Sequence, residues 1–90
     1  MGNAANLEIL DSVRGRSYLA IQSAMPEFLR RLADVNGYKI VVTKEDNTLT
    51  ITFVDEEGVT GALGNPGNKP GLAVELDAGD LRVLRSYYLR

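Results

Sequence analysis

The chain has 90 residues, 44% hydrophobic and 24% charged, with a formal net charge of −2; that suffices for one globular domain with one core and is too apolar for a disordered chain. Ten Lys and Arg are scattered among twelve Asp and Glu, which argues against nucleic acid as a partner, because backbone phosphates call for a concentrated positive surface. There is no Cys and no His, so disulfides, thiolate chemistry and the usual imidazole base or metal ligand are excluded.

No run approaches the roughly eighteen apolar residues of a membrane span, and Met1–Leu10 lacks a basic leader followed by an apolar stretch. A cytoplasmic protein with no membrane partner is expected, with secretion left open if a signal peptide had been removed.

At 100° per residue, Leu7, Leu10, Val13, Tyr18, Ile21, Met25, Phe28, Leu29, Leu32 and Val35 fall within about 80° of one line. This is one apolar helix face, interrupted by Gly15 and Pro26. Proline inside a helix removes a hydrogen bond and crowds the preceding turn, so a kink or break is expected near Met25. Asn36-Gly37 is expected to close the helix, with Arg30 and Arg31 in its late turns, where cations suit the helix dipole. Arg14 falls near the centre of the stripe. Its stem either packs along the sheet edge or the helix starts only after Gly15, and an anion ligand is the less favoured reading.

From Tyr38 the period changes to two. Ile40, Val42, Leu49, Ile51 and Phe53 share one side, and Lys39, Thr43, Thr50 and Thr52 the other. Only an even loop keeps these sets apart. Asp46-Asn47, or Glu45 to Thr48, as the turn pairs Ile40 with Phe53, Val42 with Ile51 and Thr43 with Thr50.

From Asp55 through Gly71 stand five glycines, Gly71 included, and the pairs Pro66-Gly67 and Pro70-Gly71, each suited to a type II turn, with a short strand expected at Val59 to Leu63. A phosphate cradle would need Gly-Lys-Ser/Thr opening a helix, whereas Lys69 is followed by Pro70. A closing hairpin follows. With Asp77-Ala78-Gly79-Asp80 as its turn, Leu76 faces Leu81, Val74 faces Val83 and Leu72 faces Arg85, while Glu75 faces Arg82 on the other surface.

Asp55, Glu56 and Glu57 with Asp77 and Asp80 offer oxygen ligands for a hard cation but lack EF-hand spacing, and solvated strand ends explain them better. A glycosidase-like carboxylate pair would have little room for a sugar cleft. Neither a metal site nor a cofactor is assigned, and catalytic residues are none.

The tail, Pro70-Gly71-Leu72-Ala73-Val74-Glu75-Leu76-Asp77 followed by Gly79 and Val83-Leu84-Arg85-Ser86-Tyr87-Tyr88, resembles the closing hairpin of small bacterial cystatin-like and NTF2-like proteins, some of which are immunity proteins that silence a toxin. The resemblance covers about twenty residues and the helix-then-strands order. It implies a helix wrapped by a curved antiparallel sheet and a binding role. The Gln-Val-Gly inhibitory loop of true cystatins is missing, and the chain is short for a complete NTF2-like cone.

The expected architecture is α+β: a long, kinked N-terminal helix on one face of a four-stranded antiparallel sheet. The expected function is non-catalytic protein binding through the opposite sheet face, as a homodimer or as an immunity-like inhibitor. Val41, Thr43, Thr50, Thr52, Leu84 and Tyr88 are the expected contact residues, with Glu75 and Arg82 at their rim. The alternative is a small-ligand carrier whose pocket lies between helix and sheet, lined by Tyr18, Met25, Phe28, Phe53 and Tyr87.

Overall fold

A computed structural model describes residues 7–57 and 69–89; the expected strand at Val59 to Leu63 lies outside them. One helix, α1 (Gly15–Arg31), precedes β1 (Tyr38–Glu45), β2 (Thr48–Asp55), β3 (Leu72–Asp77) and β4 (Val83–Tyr88). The strands form an antiparallel sheet in the order β1-β2-β3-β4, and α1 packs on one face of it, over β3 with β2 and β4 to either side. This is an α+β fold.

The helix is shorter than its apolar stripe. It starts at Gly15, and Leu7 to Arg14 run on without helical structure and exposed. Seventeen residues give a helix of about 25 Å, roughly the length of the eight-residue strand β2. Further turns would project past the sheet with nothing to cover. At the other end, Leu32 is already extended and donates its N–H to the Phe28 carbonyl, while the Asp34 carboxylate accepts from the Asn36 N–H. That local turn competes with helix continuation, so α1 ends before Asn36-Gly37. Gly37 instead takes a positive φ of 88° and launches β1. Pro26 lies inside α1 without dividing it; both Pro26 and Gln22, whose carbonyl loses its helical donor, are exposed to water.

The β1–β2 register is the one the even-loop argument requires: Ile40 opposite Phe53, Val42 opposite Ile51 and Thr43 opposite Thr50, with Asp46-Asn47 as the turn and Asp46 left-handed at φ 55°. Phe28, Ala20 and Ala24 of α1 pack on Ile51, Phe53, Leu72, Val74 and Leu76, all fully buried. Phe28 and Phe53 stack with centroids 4.6 Å apart, and Tyr38 meets Phe28 edge-on at 5.1 Å.

The closing hairpin departs from its expected register. Asp77 accepts from the N–H groups of Gly79 and Asp80 through its carboxylate and from Leu81 N–H through its carbonyl, which widens the loop and leaves Leu81 left-handed at φ 64°. Leu76 therefore faces Val83 rather than Leu81. Beyond it Leu84 is an extra residue, a β-bulge, and every later position changes side: Glu75 faces Arg85, Val74 faces Ser86, Ala73 faces Tyr87 and Leu72 faces Tyr88.

Candidate functional site: the open sheet face

The face away from α1 is set by these registers. Across its middle run two rows: Val41, Thr52, Ala73 and Tyr87, then Thr43, Thr50, Glu75 and Arg85. Among the described residues no helix or strand covers them. Val41, Thr50 and Thr52 are half-buried and Thr43 is exposed. The strand period of two puts these small β-branched side chains on one surface because their neighbours Ile40, Val42, Ile51 and Phe53 are claimed by the core.

The charges in these rows are satisfied within the sheet. Arg85 donates to Glu75 through both arms of its guanidinium, Nε to Oε1 at 2.9 Å and a terminal nitrogen to Oε2 at 3.1 Å, and the Tyr87 hydroxyl donates to Oε2 at 3.2 Å. The guanidinium also lies 5.0 Å over the Tyr87 ring. The Arg85 hydrogen bond, with a smaller contribution from Tyr87, holds the Glu75 carboxyl below its ordinary range although burial opposes it. Burial first, then the bond to Glu75, pushes the Tyr87 phenol up.

The expected contact set is thus brought together only in part. Val41, Thr43, Thr50 and Thr52 form one patch. Tyr88 does not join it: the bulge turns it to the helix side, where the Arg31 guanidinium sits 5.2 Å over its ring. Leu84 is exposed at the bulge on edge strand β4, beside the patch rather than in its rows. Arg82 is not opposite Glu75, and its nearest carboxylate is Asp80 at 4.0 Å. Tyr87 and Arg85 are the face residues that the sequence reading missed. The available signal was the opposite charge of Glu75 and Arg85, which face each other next to a Leu76–Val83 pair only if one residue is looped out.

The five residues of the alternative pocket do not line a common space. Phe28 and Phe53 are fully buried against each other, Tyr18 is exposed on the outer side of α1, Met25 is only partly buried beside the core, and Tyr87 is on the opposite side of the sheet. The carboxylates named for a cation are separated as well. Asp55 and the residue facing Asp77, Thr48, stand at opposite ends of β2, about 23 Å apart. Asp55 is buried and accepts from the backbone N–H groups of Glu57 and Lys69, tying the chain on both sides of residues 58–68. Among the described residues no helix is long and apolar enough to cross a membrane.

On the helix side a second polar cluster fastens α1 to β4. Ser86 donates to Glu27 Oε1 at 2.8 Å, and Arg30 reaches the same oxygen at 2.6 Å. The Ser86 bond, then that of Arg30, lowers the Glu27 carboxyl from its ordinary value. Ser86 can reach Glu27 only because the bulge turned it inward.

Compared with known protein families, curated proteins and solved structures, the chain finds no match in any of the three.

Proposed function

We propose that this chain is a non-catalytic protein-binding domain whose contact surface is the open sheet face, centred on Val41, Thr43, Thr50 and Thr52. One observation carries the reading: the two middle rows hold a single acid and a single base, and these are spent on each other, braced by Tyr87. A sheet face meant for water usually carries free charges on every strand. Covering a charge is costly unless it is paired and hydrogen-bonded, and Glu75 and Arg85 already are. A partner can therefore desolvate these two rows without stranding an ion, while Lys39 and Glu45 stay at the ends of β1, outside them. Tyr87 adds apolar area toward β4, in keeping with the aromatic enrichment of interfaces.

The partner is a separate protein or a second copy of the chain. The cystatin-like and NTF2-like resemblance of the closing hairpin favours the first, as an immunity-like inhibitor. Small-ligand carriage has less support, because Phe28 and Phe53 fill the space between helix and sheet that a pocket would occupy. A photo-reactive amino acid placed at Thr52 in cells should yield one discrete protein adduct, and the same residue at Gln22 on the outer side of α1 should not. Absence of an adduct from both Thr52 and Val41 would refute the reading.

A further inference from the structure

A different surface lies between α1 and the edge strand β1. The segment Leu7 to Arg14 leaves the start of α1 and passes β1 on the helix side, with Asp11 and Val13 beside Ile21, Tyr38 and Ile40. Its large apolar side chains are not buried there: Leu7, Ile9 and Leu10 are 74%, 75% and 78% exposed. Three such residues within four positions are far more than the isolated apolar residues that surfaces normally carry.

Next to where this segment joins α1 is a cavity of about 290 Å³, floored by Val42 and the buried Leu49 and rimmed by Arg14, Arg16 and Lys44. That volume is at the lower limit for a small-molecule site and suits a pair of side chains from a peptide. Its rim is cationic, and the segment Leu7–Val13 carries Glu8 and Asp11 with no Lys or Arg. Apolar floor and cationic rim thus match apolar and acidic side chains on the same chain. The segment does not fill this cavity in its own molecule: Arg14 stands at the rim, and Asp11 and Val13 lie instead beside Tyr38 and Ile40.

We infer that two copies of the chain associate by exchanging these N-terminal arms, each placing Leu7 to Asp11 over Val42 and Leu49 of the other with Glu8 and Asp11 facing Arg14, Arg16 and Lys44. Seven extended residues reach about 23 Å, enough to cross from one molecule to the next. The exchange is reciprocal, so the contact closes as a two-fold dimer and leaves no arm free for a third copy. It uses none of the open sheet face, and the two surfaces are separable by mutation.

The test is sedimentation equilibrium of the full chain. The wild type should sediment as a dimer with rising concentration, Ile9→Asp with Leu10→Asp and, separately, Lys44→Glu should each weaken dimerisation by at least about tenfold, and Thr52→Arg should leave it unchanged. Glu8→Lys combined with Lys44→Glu should regain part of the loss. Glu8, Ile9, Leu10 and Lys44 are exposed and Thr52 is half-buried on the open face, so circular dichroism should stay that of the wild type. A wild type that remains monomeric, or a dimer that the arm substitutions leave intact, would overturn the inference. A dimer lost only with Thr52→Arg would overturn it too, and would assign self-association to the open sheet face.

Discussion

Glu75 and Arg85 face each other across β3 and β4 in a two-pronged ion pair because Leu84 is looped out of the strand between Val83 and Arg85. The pair has a defined dependence on pH. The folded chain holds the Glu75 carboxyl below its ordinary value, chiefly through the Arg85 hydrogen bond, so its stabilising contribution is complete above the unfolded value of about 4.3 and is lost as pH falls through the lower folded value. Thermal melts of the wild type and Glu75→Gln should differ at neutral pH and converge in acid. A difference that is constant with pH would contradict the assigned role of the charge.

The core contact between Phe28 and Phe53 anchors α1 on the sheet. Phe28→Ala should cost about 3–5 kcal/mol, and Ile51→Val about 0.5–1.5 kcal/mol, in urea unfolding. For a domain of this size the first loss is a large fraction of the whole stability, and a strongly lowered urea midpoint is the expected result.

The start of α1 is not optimised for stability. Arg14 occupies the N-cap without a side-chain cap bond, the first turn has no acid, and a methyl group at Gly15 would meet open space. Gly15→Ala should stabilise the fold by about 0.4–1 kcal/mol, and Arg14→Ser by about 1 kcal/mol, read as raised melting temperatures. If Arg14 serves the arm-exchange cavity, Arg14→Ser should at the same time weaken dimerisation.

Asp55 holds the backbone N–H groups of Glu57 and Lys69 from a buried position. Asp55→Ala strands both donors and should cost about 1.5–3 kcal/mol, with Asp55→Asn milder because one acceptor oxygen remains. Urea titration of the two variants checks the order.

The sequence carried the fold wherever one side chain set could occupy only one environment. Ile40, Val42, Ile51 and Phe53 alternate with Lys39, Thr43, Thr50 and Thr52, so one parity of turn separates them, and the β1–β2 register followed. Val83 to Tyr88 lacks that clarity. Tyr87 and Tyr88 are both amphipathic and suit either face, so alternation could not reveal that Leu84 shifts the register. The residues turned the wrong way by an unbroken register were Arg85, Ser86, Tyr87 and Tyr88. The helix was over-read for a related reason: the stripe through Leu7, Leu10 and Val13 continues the helical period, but a helix stops where the sheet beneath it stops. Periodicity reports which side chains can share a face, and the extent of the partner layer is not written in it.

The most direct test of the sheet-face account uses the absence of cysteine from the chain, which makes a single introduced thiol a background-free reporter. Labelling rates in cells should show Thr52→Cys strongly protected compared with Gln22→Cys, while the two variants, purified and dilute, should react at more similar rates. A thiol at position 52 that is labelled in cells as readily as in the dilute purified protein would contradict the claim that this face is covered by a partner.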